Sequence, residues 1–68
     1  MEKNVVDSIL VTTVGEYGIV RVVEHILWNN GKVFSKKTVY DVCLRYGEGD
    51  IVASFDKITE ARKWAKEN

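Results

Sequence analysis

Sixty-eight residues leave room for one domain, residues 1–68, and ten basic side chains cancel ten acidic ones to a formal charge of zero. With 46% apolar residues and no proline, the composition is that of a globular chain and excludes collagenous, low-complexity and disordered classes. One cysteine and one histidine exclude an internal disulfide framework and a multi-cysteine zinc site, so neither cofactor nor metal is expected.

The chain opens Met1-Glu2-Lys3-Asn4, without the basic start and apolar run of a secretory signal. Its purely apolar stretches, such as Ile26-Leu27-Trp28, fall far short of the roughly 18 residues that span a bilayer. A cytoplasmic chain with no membrane contact is the expectation. Glycine clusters then punctuate the sequence at Gly15–Gly18, Asn29–Lys32 and Gly47–Asp50, and the segments between are rich in valine, isoleucine and threonine, which suit a pleated surface. A first strand is expected near Val5–Val14. The second segment carries two patterns. Ile19, Val22, Val23, Ile26 and Leu27 match helical spacing with Gly31 as the stop, giving a β-α-β-β-α alternative in which residues 19–29 coil. The β-branched run Ile19, Val20, Val22, Val23 and Ile26 favours a strand instead.

Register arithmetic supports the strand. Asn30-Gly31 suits a two-residue type I′ turn, which needs positive φ at both central positions. Centred there, Leu27 meets Phe34, Trp28 meets Val33, Glu24 meets Lys37, Val22 meets Val39 and Ile19 meets Val42. The Gly47–Asp50 turn pairs Tyr46 with Ile51, Leu44 with Ala53 and Val42 with Phe55, while the first turn pairs Val14 with Ile19 and Leu10 with Val23. The two later registers agree on one face: Ile19, Val23, Leu27, Phe34, Val42, Leu44, Tyr46, Ile51, Ala53 and Phe55 point the same way. A one-residue slip would scatter them.

Beyond the last glycine, Ile58, Ala61, Trp64 and Ala65 line one face of a helix, with Asp56 as the expected N-cap and Lys63 and Lys66 complementing the dipole at its end. The fold class is therefore α+β: a four-stranded antiparallel meander with one C-terminal helix packed on one face. A helix of about eleven residues is about 16 Å long, whereas strands of about ten residues span about 33 Å. The helix cannot cover the sheet. The opposite face carries Val5, Ile9, Val11, Val20, Val22, Ile26, Trp28, Val33, Val39 and Val52, interrupted only by Asp7, Glu24, Lys37, Asp41 and Arg45. A solvated face reads mostly polar, so this one marks an interaction surface, unless the sheet curls to bury part of it.

The familiar chemistries find no footing. His25 falls on the helix side and Cys43 on the other, which separates them as a dyad. Glu48-Gly49-Asp50 lacks the twelve-residue calcium loop, and Gly15-Glu16-Tyr17-Gly18 lacks the Lys-Ser/Thr of a phosphate loop. Both are turns, and no enzyme is expected. Lys32, Lys36 and Lys37 follow the central turn and Arg62, Lys63 and Lys66 line the helix. With Trp28, Tyr17, Tyr40 and Tyr46 nearby they allow an alternative as a nucleic-acid-binding accessory domain, although net neutrality argues against it and solvated lysines account for the pattern. Trp64 sits on the inner helix face as a core anchor. Trp28 stands beside the turn on the face without the helix, and tryptophan is enriched among binding hot spots.

The ending Ser54-Phe55-Asp56-Lys57-Ile58-Thr59-Glu60-Ala61-Arg62-Lys63-Trp64-Ala65 resembles the strand-to-helix close of many small β-sheet-plus-helix domains, which implies architecture only. The strands-then-helix order is loosely similar to the arm-site DNA-binding domains of tyrosine recombinases, whose basic sheet face is here interrupted by Glu24 and Asp41. A chain of this size also looks like the accessory proteins of phages and mobile elements, many of which inhibit a host or defence enzyme. The expected function is a small non-enzymatic protein-binding module that occludes or scaffolds a protein partner, built as a homodimer. Its contacts would be Trp28, Val22, Ile26, Val39 and Arg45, with Glu24 and Lys37 setting register.

Overall fold

A computed structural model describes residues 2–68, including all their side chains except those of Glu2, Lys3, Val5 and Val6. Strands β1 (Glu2–Val14), β2 (Tyr17–Leu27), β3 (Val33–Cys43) and β4 (Ile51–Phe55) form one antiparallel sheet in chain order, and helix α1 (Ile58–Glu67) follows. This is the expected meander with its C-terminal helix. Residues 19–27 are strand, so the alternative with a central helix is overturned: the β-branched run prevails over the helical spacing.

The helix presents its small residues to the sheet. Ala61 and Ala65 close over Ile19 and Val42, which are fully buried, and Val14, Tyr17, Tyr40, Ala53, Phe55, Ile58 and Trp64 pack around them. Alanine lets the helix backbone come close, and Trp64 meets Tyr17 edge-on at 5.4 Å between ring centroids. The cap differs from expectation. Lys57, with extended backbone, precedes the first helical residue and no side chain caps it, because the helix begins one position too late for Asp56. Glu60 in the first turn and Lys66 in the last complement the dipole. At the far end the Asn68 backbone N–H and its Nδ2 both donate to the Trp64 carbonyl, at 3.0 and 2.8 Å.

Between β2 and β3 the expected pairs Glu24–Lys37, Val22–Val39 and Ile19–Val42 form. The tip differs. The Gly31 N–H donates to the Trp28 carbonyl and the Trp28 N–H to the Lys32 carbonyl, and only Gly31 of the loop has positive φ, at +84°. That is a three-residue loop, Asn29-Asn30-Gly31, closed by a left-handed glycine, rather than a type I′ turn. It brings Leu27 opposite Val33 instead of Phe34, and one extra residue in β3 then restores the register at Ile26–Ser35.

Two further registers move. A two-residue Gly15-Glu16 turn, with Gly15 at φ +59°, pairs Val14 with Tyr17 rather than Ile19. An extra residue between Leu10 and Thr12 then sets Leu10 opposite Val20, not Val23, and Ile9 opposite Arg21, and a second between Val5 and Asp7 sets Val5 opposite Glu24. Between β3 and β4, Val42 meets Ala53 and Tyr40 meets Phe55, two positions from expectation. A shift of two preserves the face, so Ala53 and Phe55 still reach the core. Leu44, Tyr46 and Ile51 do not, because β3 stops at Cys43 and a loop with a short 3-10 turn (Arg45–Gly47) replaces the longer hairpin; all three are exposed. The Tyr46 N–H donates to the Glu16 carbonyl at 2.8 Å, laying this loop across Gly18.

Candidate interaction surface

The molecule measures 43 × 20 × 16 Å, and its helix occupies one end. Among the described residues, none that packs on the core comes from β2 beyond Ile19 or from β3 before Tyr40. Beyond the loop that crosses Gly18, the remainder of β1–β3 projects as a three-stranded arm without a second layer among the described residues.

Pairing parity assigns its faces. Ile19 and Val42 face the helix, so their neighbours Val20, Val22, Glu24, Ile26, Lys37, Val39 and Asp41 face away. Leu10 joins them: its side chain and that of Val20 both approach Gly47, in the loop over Gly18. At the tip, Trp28 and Phe34 meet edge-on at 4.4 Å between ring centroids, 46% and 49% exposed. The extra residue in β3 has exchanged Phe34 with Val33, which now lies opposite Leu27 on the helix side. Ile9 likewise leaves the helix-free face, Val11 and Val52 fall at irregular pairings, and the Val5 side chain lies outside the described residues. The helix-free face of the arm thus runs from Leu10 and Val20 through Val22, Val39 and Ile26 to Trp28 and Phe34, crossed by the pair Glu24–Lys37.

The other face of the arm is more polar. Asp7 and Arg21 approach at 3.9 Å, His25 lies opposite Lys36, and the buried Arg21 Nε has no hydrogen-bond partner among the described residues. The edges differ too. β4 pairs with β3 only from Tyr40 to Cys43, so the outer edge of β3 from Val33 to Val39 carries no strand among the described residues. The outer edge of β1 is broken by its two extra residues, a common protection against edge pairing.

The structure brings Val22, Glu24, Ile26, Trp28, Lys37 and Val39 onto one face, as the alternation requires. Arg45 stands apart in the loop at the opposite end, at φ 50°, beside Glu16, Leu44 and Tyr46. Lys36 and Lys37 point to opposite faces, Lys32 sits at the tip, and the exposed Arg62, Lys63 and Lys66 ride on the helix at the other end, so the six cations do not form one patch. His25 and Cys43 lie on opposite faces. Cys43 is buried; burial, and secondarily the nearby Asp41 carboxylate, pushes its thiol above the ordinary range. Asp41 itself is buried and accepts a 2.5 Å hydrogen bond from the Ser54 hydroxyl.

Leu10 and Phe34 belong to the surface and escaped the sequence reading, since both positions depend on extra residues that alternation does not reveal. The tripeptide Asn29-Asn30-Gly31 was the available signal for Phe34. No helix among the described residues is long and apolar enough to cross a membrane. No protein-family model, curated protein or solved structure matches the chain.

Proposed function

We propose that this chain is a non-enzymatic protein-binding module that occludes or scaffolds a protein partner through the tip and open edge of its arm. One observation carries the reading: the outer edge of β3 from Val33 to Val39 has no neighbour among the described residues and ends beside the half-exposed Trp28–Phe34 pair. An extended segment of a partner added there completes the hydrogen bonding of the strand. Trp28 supplies the apolar anchor at one end of this edge, and Lys36 and Lys37 offer charge on the two faces beside it.

Trp28→Ala tests this. The substitution removes an aromatic pair worth about 1 kcal/mol and leaves the core intact, so its circular dichroism and melting profile should stay close to those of the parent. Proteins retained from native lysate by the parent, and by an Arg62→Ala control, should be lost from Trp28→Ala. Equal recovery on all three columns overturns the assignment. Retention of nucleic acid alone, falling steeply with salt, would replace it with the nucleic-acid alternative.

A further inference from the structure

We propose that the helix-free face of the arm is the contact between two copies of this chain, stacked face to face about a two-fold axis running along the strands between β2 and β3. The proposal goes beyond the edge-binding reading: stacking sheets by their faces leaves the outer edge of β3 open, and the Trp28–Phe34 pair at the end of that edge borders both contacts.

The first support is the missing layer. A sheet buries at least one face against another element, yet the helix of this chain reaches only the end at Ile19 and Val42. The surface area agrees. A compact folded chain of 7.8 kDa exposes about 4,400 Å², whereas this one exposes 4906 Å². The excess, about 500 Å² per copy, would bury about 1,000 Å² in a pair, the threshold of a specific interface.

Charge selects the occupant and the symmetry. Glu24 and Lys37 lie side by side on β2 and β3 at the same level of this face. A two-fold axis along the strands and midway between them sets β2 of one copy over β3 of the other. Each Glu24 then meets the second copy's Lys37, and Val22 meets Val39. A two-fold axis across the strands at that level would stack Glu24 on Glu24 and Lys37 on Lys37. The face is therefore self-complementary under one operation and self-repelling under the other. The chain also has zero net charge, so no long-range repulsion opposes self-association. Ile26 extends the apolar contact on one side, and the loop over Gly18 limits it on the other.

Sedimentation equilibrium at tens of micromolar should find the parent at twice the 7.8 kDa chain mass. Glu24→Lys alone and Lys37→Glu alone each place like charges across the axis, and each should weaken the dimer at least tenfold. Mixed in equal amounts they restore both opposite-charge contacts, so a dimer with one chain of each kind should reappear; that recovery also shows that both variants fold. Lys63→Glu and Glu67→Lys, on the helix, should each dimerise like the parent. A monomeric parent, or a mixture that stays monomeric, overturns the proposal. A monomeric parent that still loses its partner on Trp28→Ala would sink the dimer alone and leave the edge-binding reading standing.

Discussion

Gly18→Ala tests whether the loop after β3 is seated on the sheet. A Cβ built at Gly18 would stand 2.3 Å from the Gly47 nitrogen and 2.4 Å from the Tyr46 carbonyl carbon, both backbone atoms that cannot swing aside. The loop would have to lift, and the Tyr46 N–H to Glu16 carbonyl hydrogen bond would go with it. That bond is worth about 1 kcal/mol, and forcing atoms into a packed contact costs about 1–3 kcal/mol. Alanine recovers about 0.5 kcal/mol over glycine within a strand, which leaves a net loss of about 1.5–3.5 kcal/mol. For a domain of this size that lowers Tm by roughly 10–25 °C. Gly31→Ala is the control, because nothing lies within 4 Å of its Cβ position and only its φ of +84° resists the change. Its cost should be about 1 kcal/mol. Urea unfolding followed by far-ultraviolet circular dichroism measures both. If Gly18→Ala proves no more costly than Gly31→Ala, the loop does not rest on Gly18 and the limit it sets on the helix-free face disappears.

Two other substitutions probe the core. Trp64→Ala removes the half-buried ring that packs on Ile19, Val42 and Tyr17, and should cost about 3 kcal/mol in urea unfolding, well above the loss at Trp28; equal losses would contradict the division between core and surface tryptophan. Cys43 should react slowly with a thiol reagent in the native protein near neutral pH and quickly in denaturant, because its thiol is buried and its pKa lies above the ordinary 9.0. A raised folded-state pKa favours the neutral thiol. The stability it contributes is complete below the ordinary pKa and is lost as pH climbs through the folded value, so alkaline titration should destabilise the parent more than Cys43→Ala.

Much of this molecule follows from local chemistry. The β-branched run from Ile19 to Ile26 makes β2 a strand, and the spacing of Ile58, Ala61, Trp64 and Ala65 makes α1 a helix with one apolar face. Alternation along β2 and β3 was enough to place Val22, Glu24, Ile26, Lys37 and Val39 together. A strand repeats every two residues, so each side chain announces its face once a single pair is known.

Where residues are added, that logic loses count. One extra residue exchanges Val33 and Phe34, and another carries Leu10 to the helix-free face and Ile9 away from it. Their positions depend on how twist, turn geometry and cross-strand packing balance over the whole sheet, and no short window of sequence contains that balance. The same holds for the loop at Arg45–Gly47, which forms because Gly18, distant in sequence, offers a strand position without a side chain. Element type and alternation are local and were written in the chain; register at the irregular positions, the close approach at Gly18 and the uncovered length of the arm arise only when strands distant in sequence meet.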